Sequence, residues 1–144
     1  MIEQDYLMRR IMALFAAIRR SWERELKHDD PLDSAEQLEL ALGQAVDFDS
    51  GLLLSLVPES FASMVQVSGT DQRLVAFMLR SLALASRLRA EGNDNAGAAL
   101  RQQQAQALAA FYGVPDEEWA IDDAAMEGLC QEMDEAATGH EAGE

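Results

Sequence analysis

The side chains that could carry out nucleophilic, acid–base or metal chemistry are few in this chain and far apart. His28 and His140 are the only imidazoles, and Cys130 is the only thiol. A hydrolytic triad or a zinc site needs several such groups close together on rigid elements, and no such set is visible. Cys130 falls on the apolar face of a predicted helix, where cysteine behaves as a small hydrophobic residue. We therefore expect no catalytic residue and no enzyme activity.

One spacing resembles a metal site. Asp47, Asp49 and Gly51 follow the pattern that opens a calcium-binding loop, but Leu52 stands where that loop needs a glycine, and Pro58 stands where it needs a bidentate glutamate. Asp49 is instead predicted to cap a short helix. Because the glycine-rich phosphate-binding motifs are also missing, we expect no metal ion and no cofactor.

Composition and charge limit the remaining classes. The chain has 144 residues, of which 49% are hydrophobic, and its formal net charge is −15. The length fits one domain, and the lone cysteine favours a reducing cytoplasm. Residues 113–144 contain no Lys or Arg, so the negative charge is concentrated there. Such a field repels phosphates, and no stretch approaches the ~20 apolar residues of a membrane span, so we expect neither nucleic acid nor membrane as a partner.

The hydrophobic periodicity predicts an all-α, single-domain bundle of about six to seven helices. We expect the domain to cover residues 1–138 and residues 139–144 to be a frayed acidic tail. The predicted helices span residues 3–28, 32–45, 49–56, 58–67, 70–91, 95–112 and 122–137, with a further short turn of helix opened by Pro115.

The helix over residues 70–91 is predicted to be central, because apolar residues surround most of its circumference. Together with residues 95–112 it should form an antiparallel helical hairpin at residues 70–112. Its polar line consists of Arg73, Arg80 and Arg87, seven residues apart, which we regard as a possible interaction surface. These arginines must face water or meet acids, because an unpaired buried charge is costly. We favour pairing with the acidic C-terminal segment, namely Asp116, Glu117, Asp122, Asp123 and Glu127.

The same periodicity assigns faces to the flanking helices. In the first helix, apolar residues from Leu7 to Trp22 should face the core, although a basic amphipathic helix can also lie on a membrane or bind a partner. In the second helix, Glu36 and Glu39 should face outward. In the helix over residues 95–112, the run 102–104 should be mostly exposed, and the inner face should consist of Ala96, Ala99, Leu100, Ala107, Leu108 and Phe111. In the last helix, Met126, Leu129 and Met133 should cover the central helix.

Two resemblances follow from short motifs. The segment LASRLRAEGNDNAGAALRQQQAQAL resembles one tetratricopeptide unit, with Ala98 and Ala105 at that repeat's small-residue positions. The opening EQDYLMRRI, together with Phe111–Val114, resembles an uncharacterised bacterial all-helical family described as a domain of unknown function. The resemblance implies a tetratricopeptide-like helical fold and no known activity, and it carries no functional residues.

By elimination, the sequence favours a non-enzymatic helical module for protein–protein interaction or self-association. Its partner would be another protein or a second copy of itself in a homodimer. The alternatives are a small enzyme that uses carboxylates and a transcription-associated regulator. The short helices between residues 50 and 67 could mimic a helix-turn-helix, but they contain no Lys or Arg to contact phosphates.

Overall fold

The computed structural model describes the backbone of residues 2–142 and the side chains of residues 5–138. This part of the chain is all-helical, which confirms the predicted all-α bundle of six to seven helices. The helices are α1 (Ile2–Leu26), α2 (Pro31–Ala45), α3 (Ser50–Leu53), α4 (Pro58–Val67), α5 (Gln72–Glu91), α6 (Asn95–Tyr112) and α7 (Asp123–Ala142), with a 3₁₀ turn at Asp116–Trp119.

Aspartates mark the beginnings of most helices. Their side chains accept hydrogen bonds from backbone N–H groups of the first turn, which have no partner within the helix. Asp49 accepts from Leu52 N at 3.2 Å, as the sequence predicted. The other capping aspartates are Asp30, Asp71, Asp94 and Asp122.

Helix α5 is the centre of the bundle. It packs against α1, α2, α6 and the 3₁₀ turn, and ten of its residues are buried. Helix α1 covers one side of it with the predicted apolar face: Ile11, Leu14, Phe15 and Ile18 are buried, and Trp22 is half-buried. Helices α5 and α6 form the predicted antiparallel hairpin, which turns at residues 92–94.

The predicted inner face of α6 is wrong for three of its six residues. Ala96 and Ala99 are exposed, and Phe111 keeps 42% of its surface in solvent. The buried face instead contains Ala98, Arg101, Gln104, Ala105, Leu108 and Ala109. Helix α6 is therefore rotated relative to the prediction, because two polar side chains find partners inside the protein and a pattern of apolar residues cannot reveal this.

The C-terminal segment closes the bundle. Trp119 and the predicted side chains Met126, Leu129 and Met133 are buried. Arg19 on α1 forms an ion pair with Asp134 on α7 at 3.3 Å. Helix α7 continues to Ala142 instead of ending near Ala137, so most of the predicted frayed tail is helical, while residues 143 and 144 lie outside the described residues.

Among the described residues, no helix has both the length and the apolar character required to cross a bilayer.

Two methionines test whether α7 belongs to the same cooperative core. Met126 is fully buried, and we expect Met126→Ala to lower the free energy of unfolding by about 2–4 kcal/mol. Met8 is 46% exposed, and Met8→Ala should cost less than about 1 kcal/mol. Urea denaturation followed by circular dichroism measures both. Equal, small effects would show that α7 contributes little to the stability of the bundle.

Candidate functional site

The three arginines of the predicted stripe lie in three different environments. Arg73 is exposed and donates from Nε and Nη2 to the two carboxylate oxygens of Asp71, at 3.2 Å each. Asp71 is the residue that caps the same helix. Arg73 therefore meets water and its own helix terminus, not the C-terminal acids.

Arg80 is half-buried under the C-terminal segment. Burial lowers the pKa of its guanidinium, and the nearby charges of Glu132 and Glu118 oppose this shift. Its guanidinium carbon lies 5.1 Å from the centre of the Phe77 ring. No carboxylate oxygen of the described side chains lies within 4.0 Å of its guanidinium. Arg80 thus faces the C-terminal segment without a close ion pair.

Arg87 forms a two-pronged ion pair with α1. Its Nε and Nη2 donate to the two carboxylate oxygens of Glu25 at 2.8 and 2.5 Å. Its Nη1 donates to the backbone carbonyl of Ile121 at 3.2 Å, which is the one hydrogen bond to the C-terminal segment. The pairing that we favoured from the sequence is therefore wrong for Arg73 and Arg87. Arg80 has different acidic neighbours, so the stripe is not a continuous surface.

Glu91 lies one turn after Arg87, beside Glu25. Desolvation raises the pKa of the Glu91 carboxyl to about 7, and the hydrogen bond and charge of Glu25 add to this shift, while Arg87 opposes it. Arg87 pairs with Glu25 and makes no close ion pair with Glu91 among the described contacts. Glu91 therefore gains little from that cation, and its carboxyl is more easily protonated than that of an ordinary glutamate.

The largest difference from the sequence prediction is at Glu39. This residue is buried, although its helix position suggested an outward side chain. Arg89 on α5 donates to both of its oxygens at 2.7 and 2.6 Å, and Arg101 on α6 donates to one of them at 2.8 Å. Burial alone would raise the pKa of Glu39, but these hydrogen bonds and the two positive charges outweigh burial and lower it.

The network around Glu39 continues to the turn between α3 and α4. Arg101 Nη1 donates to the Leu54 carbonyl at 2.8 Å. Gln104, fully buried, donates to the carbonyls of Leu54 and Leu56 at 3.0 and 2.9 Å. One polar cluster therefore joins α2, α5, α6 and the turn between α3 and α4. The signal in the sequence is that Arg101 is the only charged residue in residues 95–114.

A surface without charge results from this arrangement. Residues 50–70 contain one charged residue, Glu59, and residues 95–114 contain only the buried Arg101, although charged residues make up 26% of the chain. Helix α4 packs along α6, and Tyr112 fixes its C-terminal end by donating to the Thr70 carbonyl at 2.9 Å. We call the outer surface of residues 50–70 and 95–114 the uncharged face.

The uncharged face is also rich in exposed apolar side chains. Nine large apolar side chains are exposed in the part of the chain whose side chains are described, and five of them lie here: Leu52, Val57, Met64, Val67 and Phe111. Between them are exposed serine and glutamine side chains, such as Ser63 and Gln103. Val67 is 81% exposed, the highest value among these nine. An uncharged surface of this kind is typical of a protein interface.

The remaining candidates for chemistry are dispersed. His28 is exposed at the end of α1, and the side chain of His140 lies outside the described residues. Burial raises the pKa of the Cys130 thiol, and the nearby charges of Asp134 and Glu23 raise it further, while Arg19 opposes them. The thiol is therefore protonated and unreactive at neutral pH.

The aspartates of the calcium-like spacing make contacts of a different kind. Asp47 pairs with Arg10 of α1, and Asp49 caps α3. Asp47 has a positive φ of 58°, which turns the chain between α2 and α3. Within the described residues, no group of three or more His, Cys, Asp or Glu side chains is arranged to hold a metal ion.

Comparison of the chain with protein-family models, with curated proteins and with solved structures found no match. What can be proposed about this chain therefore comes from its own buried contacts and surfaces.

Glu91 makes the stability of the protein depend on pH. Because its pKa is higher in the folded state than in an unfolded chain, its contribution is most favourable below pH 4.5 and is lost as the pH rises through about 7. We expect Glu91→Gln to stabilise the protein above pH 7 by up to about 1 kcal/mol, since Glu91 is exposed and its charge is screened. Urea titrations at several pH values measure this gain, which should shrink towards acidic pH. Glu127→Gln, on the exposed side of α7, is the matched control, and an equal gain there would contradict the assignment.

Loss of the Glu39 carboxylate should change the stability of the protein more than loss of the Glu91 carboxylate. Glu39→Gln removes the carboxylate that Arg89 and Arg101 share. Arg89 keeps Asp94 at 2.7 Å, but the buried Arg101 then has no counter-charge among the described side chains, and we expect the free energy of unfolding to fall by about 3–5 kcal/mol. Because the pKa of Glu39 is lowered in the folded state, the difference from the wild type should diminish as the pH falls below about 4. Chemical denaturation measures both effects. Glu36→Gln, an exposed position on α2, should change stability by less than about 0.5 kcal/mol.

Proposed function

We propose that this protein is a non-enzymatic helical module that associates with a second copy of itself through the uncharged face. The observation that carries the proposal is that this face has one exposed charge, Glu59, in a chain of net charge −15. The proposal agrees with the class that the sequence favoured, but it depends on α4 and α6 and not on the arginine stripe.

Electrostatics favours this face over the others. Two copies of a strongly acidic chain repel each other, and charges buried in an interface without partners cost free energy. A contact between two uncharged faces buries almost no charge. It also keeps the acidic residues 113–144, which carry most of the negative charge, outside the contact.

The dimensions fit a dimer interface. Helix α6 has 18 residues, which corresponds to about 27 Å of length, and packed helices lie about 8–10 Å apart. The uncharged face therefore measures roughly 27 by 20 Å, of the same order as the ~800 Å² that each partner buries in a stable complex. The exposed serines and glutamines supply hydrogen bonds around the apolar side chains.

Symmetry gives a further reason. In a two-fold dimer each copy contributes the same patch, so the patch must be complementary to itself, and an uncharged patch meets this condition without matching opposite charges. The resemblance of the α5–α6 hairpin to a single tetratricopeptide unit supports the same conclusion, because such units bury their outer surfaces by stacking on neighbouring copies.

The net charge and the lone cysteine bear on two further parts of the proposal, namely the excluded partners and the location in the cell. Nucleic acid and anionic membranes are not part of the proposal, since their phosphates would be repelled by an acidic protein. We place the protein in the cytoplasm because its lone cysteine cannot form an internal disulfide.

The test introduces charge into the uncharged face. Val67→Glu combined with Phe111→Glu places two carboxylates where two copies would meet, so self-association should weaken at least about ten-fold, equivalent to about 1.4 kcal/mol. Sedimentation equilibrium measures the dissociation constant. Added salt should strengthen the wild-type dimer, because salt screens the repulsion between the two acidic chains.

Leu26→Glu is the matched control, because Leu26 is 57% exposed but lies at the end of α1, outside the uncharged face. This variant should dimerise nearly like the wild type, and thermal melting should show that all variants are folded. A wild-type protein that remains monomeric at about 100 µM would contradict the proposal.

A further inference from the structure

A second surface lies between α1 and α2. A shallow groove there has a volume of about 390 Å³, and it is lined by Arg9, Arg10, Ala13, Ala16, Arg20, Ala41, Gln44 and Ala45. Four alanines form its floor, and Arg9 and Arg20 stand at its two ends. It contains none of the residues of the uncharged face.

The two arginines at the ends of the groove have no acidic partner. Both are exposed, and no carboxylate oxygen of the described side chains lies within 4.0 Å of either guanidinium. The other three arginines of α1 each hold a carboxylate: Arg10 pairs with Asp47, Arg19 with Asp134 and Arg24 with Asp33. In a chain with 26 acidic residues, two exposed cations on one groove that have no partner among the described side chains leave positive charge available to an acid from elsewhere.

The spacing of these arginines suits a helix. Arg9 and Arg20 are eleven positions apart, which is about 16 Å along α1, or three turns. The alanine floor allows a backbone to approach closely, since small side chains let two helices pack near the lower limit of about 8 Å. A helix lying along the groove with carboxylates eleven residues apart can therefore reach both guanidiniums.

We propose that the groove between α1 and α2 binds an acidic, alanine-rich helix of another protein. The occupant is defined by charge complementarity with Arg9 and Arg20 and by small side chains that match the alanine floor. An anionic membrane fits less well. The apolar side of α1 is buried against α2 and α5 and cannot insert into lipid.

The experiment uses the full-length protein and a synthetic probe. The probe is a fluorescein-labelled, end-blocked, alanine-rich peptide of about 18 residues with two glutamates eleven positions apart. The control peptide has the same sequence with glutamine in place of the two glutamates. Fluorescence anisotropy should show binding of the glutamate peptide and at least about ten-fold weaker binding of the glutamine peptide, with an affinity that falls as salt is added.

The protein variants locate the contact. Arg9→Gln combined with Arg20→Gln should weaken peptide binding at least about ten-fold, whereas Lys27→Gln, an exposed cation in the turn that follows α1 and outside the groove, should leave it nearly unchanged. Both arginines are exposed, so thermal melting should be unaffected. The dimer-face variant with Val67→Glu and Phe111→Glu should bind the peptide like the wild type, which separates this proposal from the proposed self-association.

Three results would overturn the inference. An equal loss with Lys27→Gln would mean diffuse attraction of the peptide by α1. Binding to the double arginine variant at wild-type strength would place the peptide elsewhere. Failure to bind the glutamate peptide, together with arginine-dependent binding to phosphatidylserine vesicles, would make this surface a membrane contact.

Discussion

The carboxylate of Glu39 joins α2 to the α5–α6 hairpin, which lies far from α2 in the sequence. Arg89 and Arg101 come from α5 and α6, and each donates to this one carboxylate on α2. A buried charge without a partner costs several kcal/mol, so Glu39 and Arg101 depend on each other to be inside, while Arg89 also holds Asp94 at 2.7 Å. The position of α6 against α2 and α5 is fixed by this requirement more specifically than by apolar packing, which tolerates rotation of a helix.

The surface of the protein depends on the same network. Because Arg101 points inward, the outer side of α6 keeps no charge, and Gln104 uses its amide on the carbonyls that precede α4. Helix α4 is thereby held beside α6, and its own sequence adds only Glu59. The uncharged face is therefore a consequence of a buried ion pair. Helix α6 therefore belongs to both the buried network around Glu39 and the proposed interface.

Charge is distributed unevenly over the bundle. Helix α1 carries arginines, and the segment after Gly113 carries eleven acidic residues and no basic one. Part of this difference is neutralised within the protein by the ion pair between Arg19 of α1 and Asp134 of α7. What remains on the surface gives the α1–α2 groove a positive character, the C-terminal segment a negative one and the α4–α6 surface none. The three surfaces thus differ in charge, and the two proposed contacts use two of them.

Local signals determined most of the fold. Aspartates before helices, prolines after loops and apolar residues at helical spacing predicted all the helices, with boundaries that differ from the structure by a few residues, because these signals act within one or two turns. Strongly amphipathic faces were also predictable, such as that of α1 and the buried methionines of α7.

Only the tertiary structure decided which polar residues lie inside. Glu39 was assigned to solvent because a helix pattern shows where the apolar residues are but not how wide the buried surface is. Its partners, Arg89 and Arg101, are 50 and 62 residues away. Arg73, Arg80 and Arg87 have the spacing of one stripe, yet each has different neighbours, because a different part of the structure packs beside each of them. Contacts of this kind depend on how helices pack, and no periodicity within a single helix encodes them.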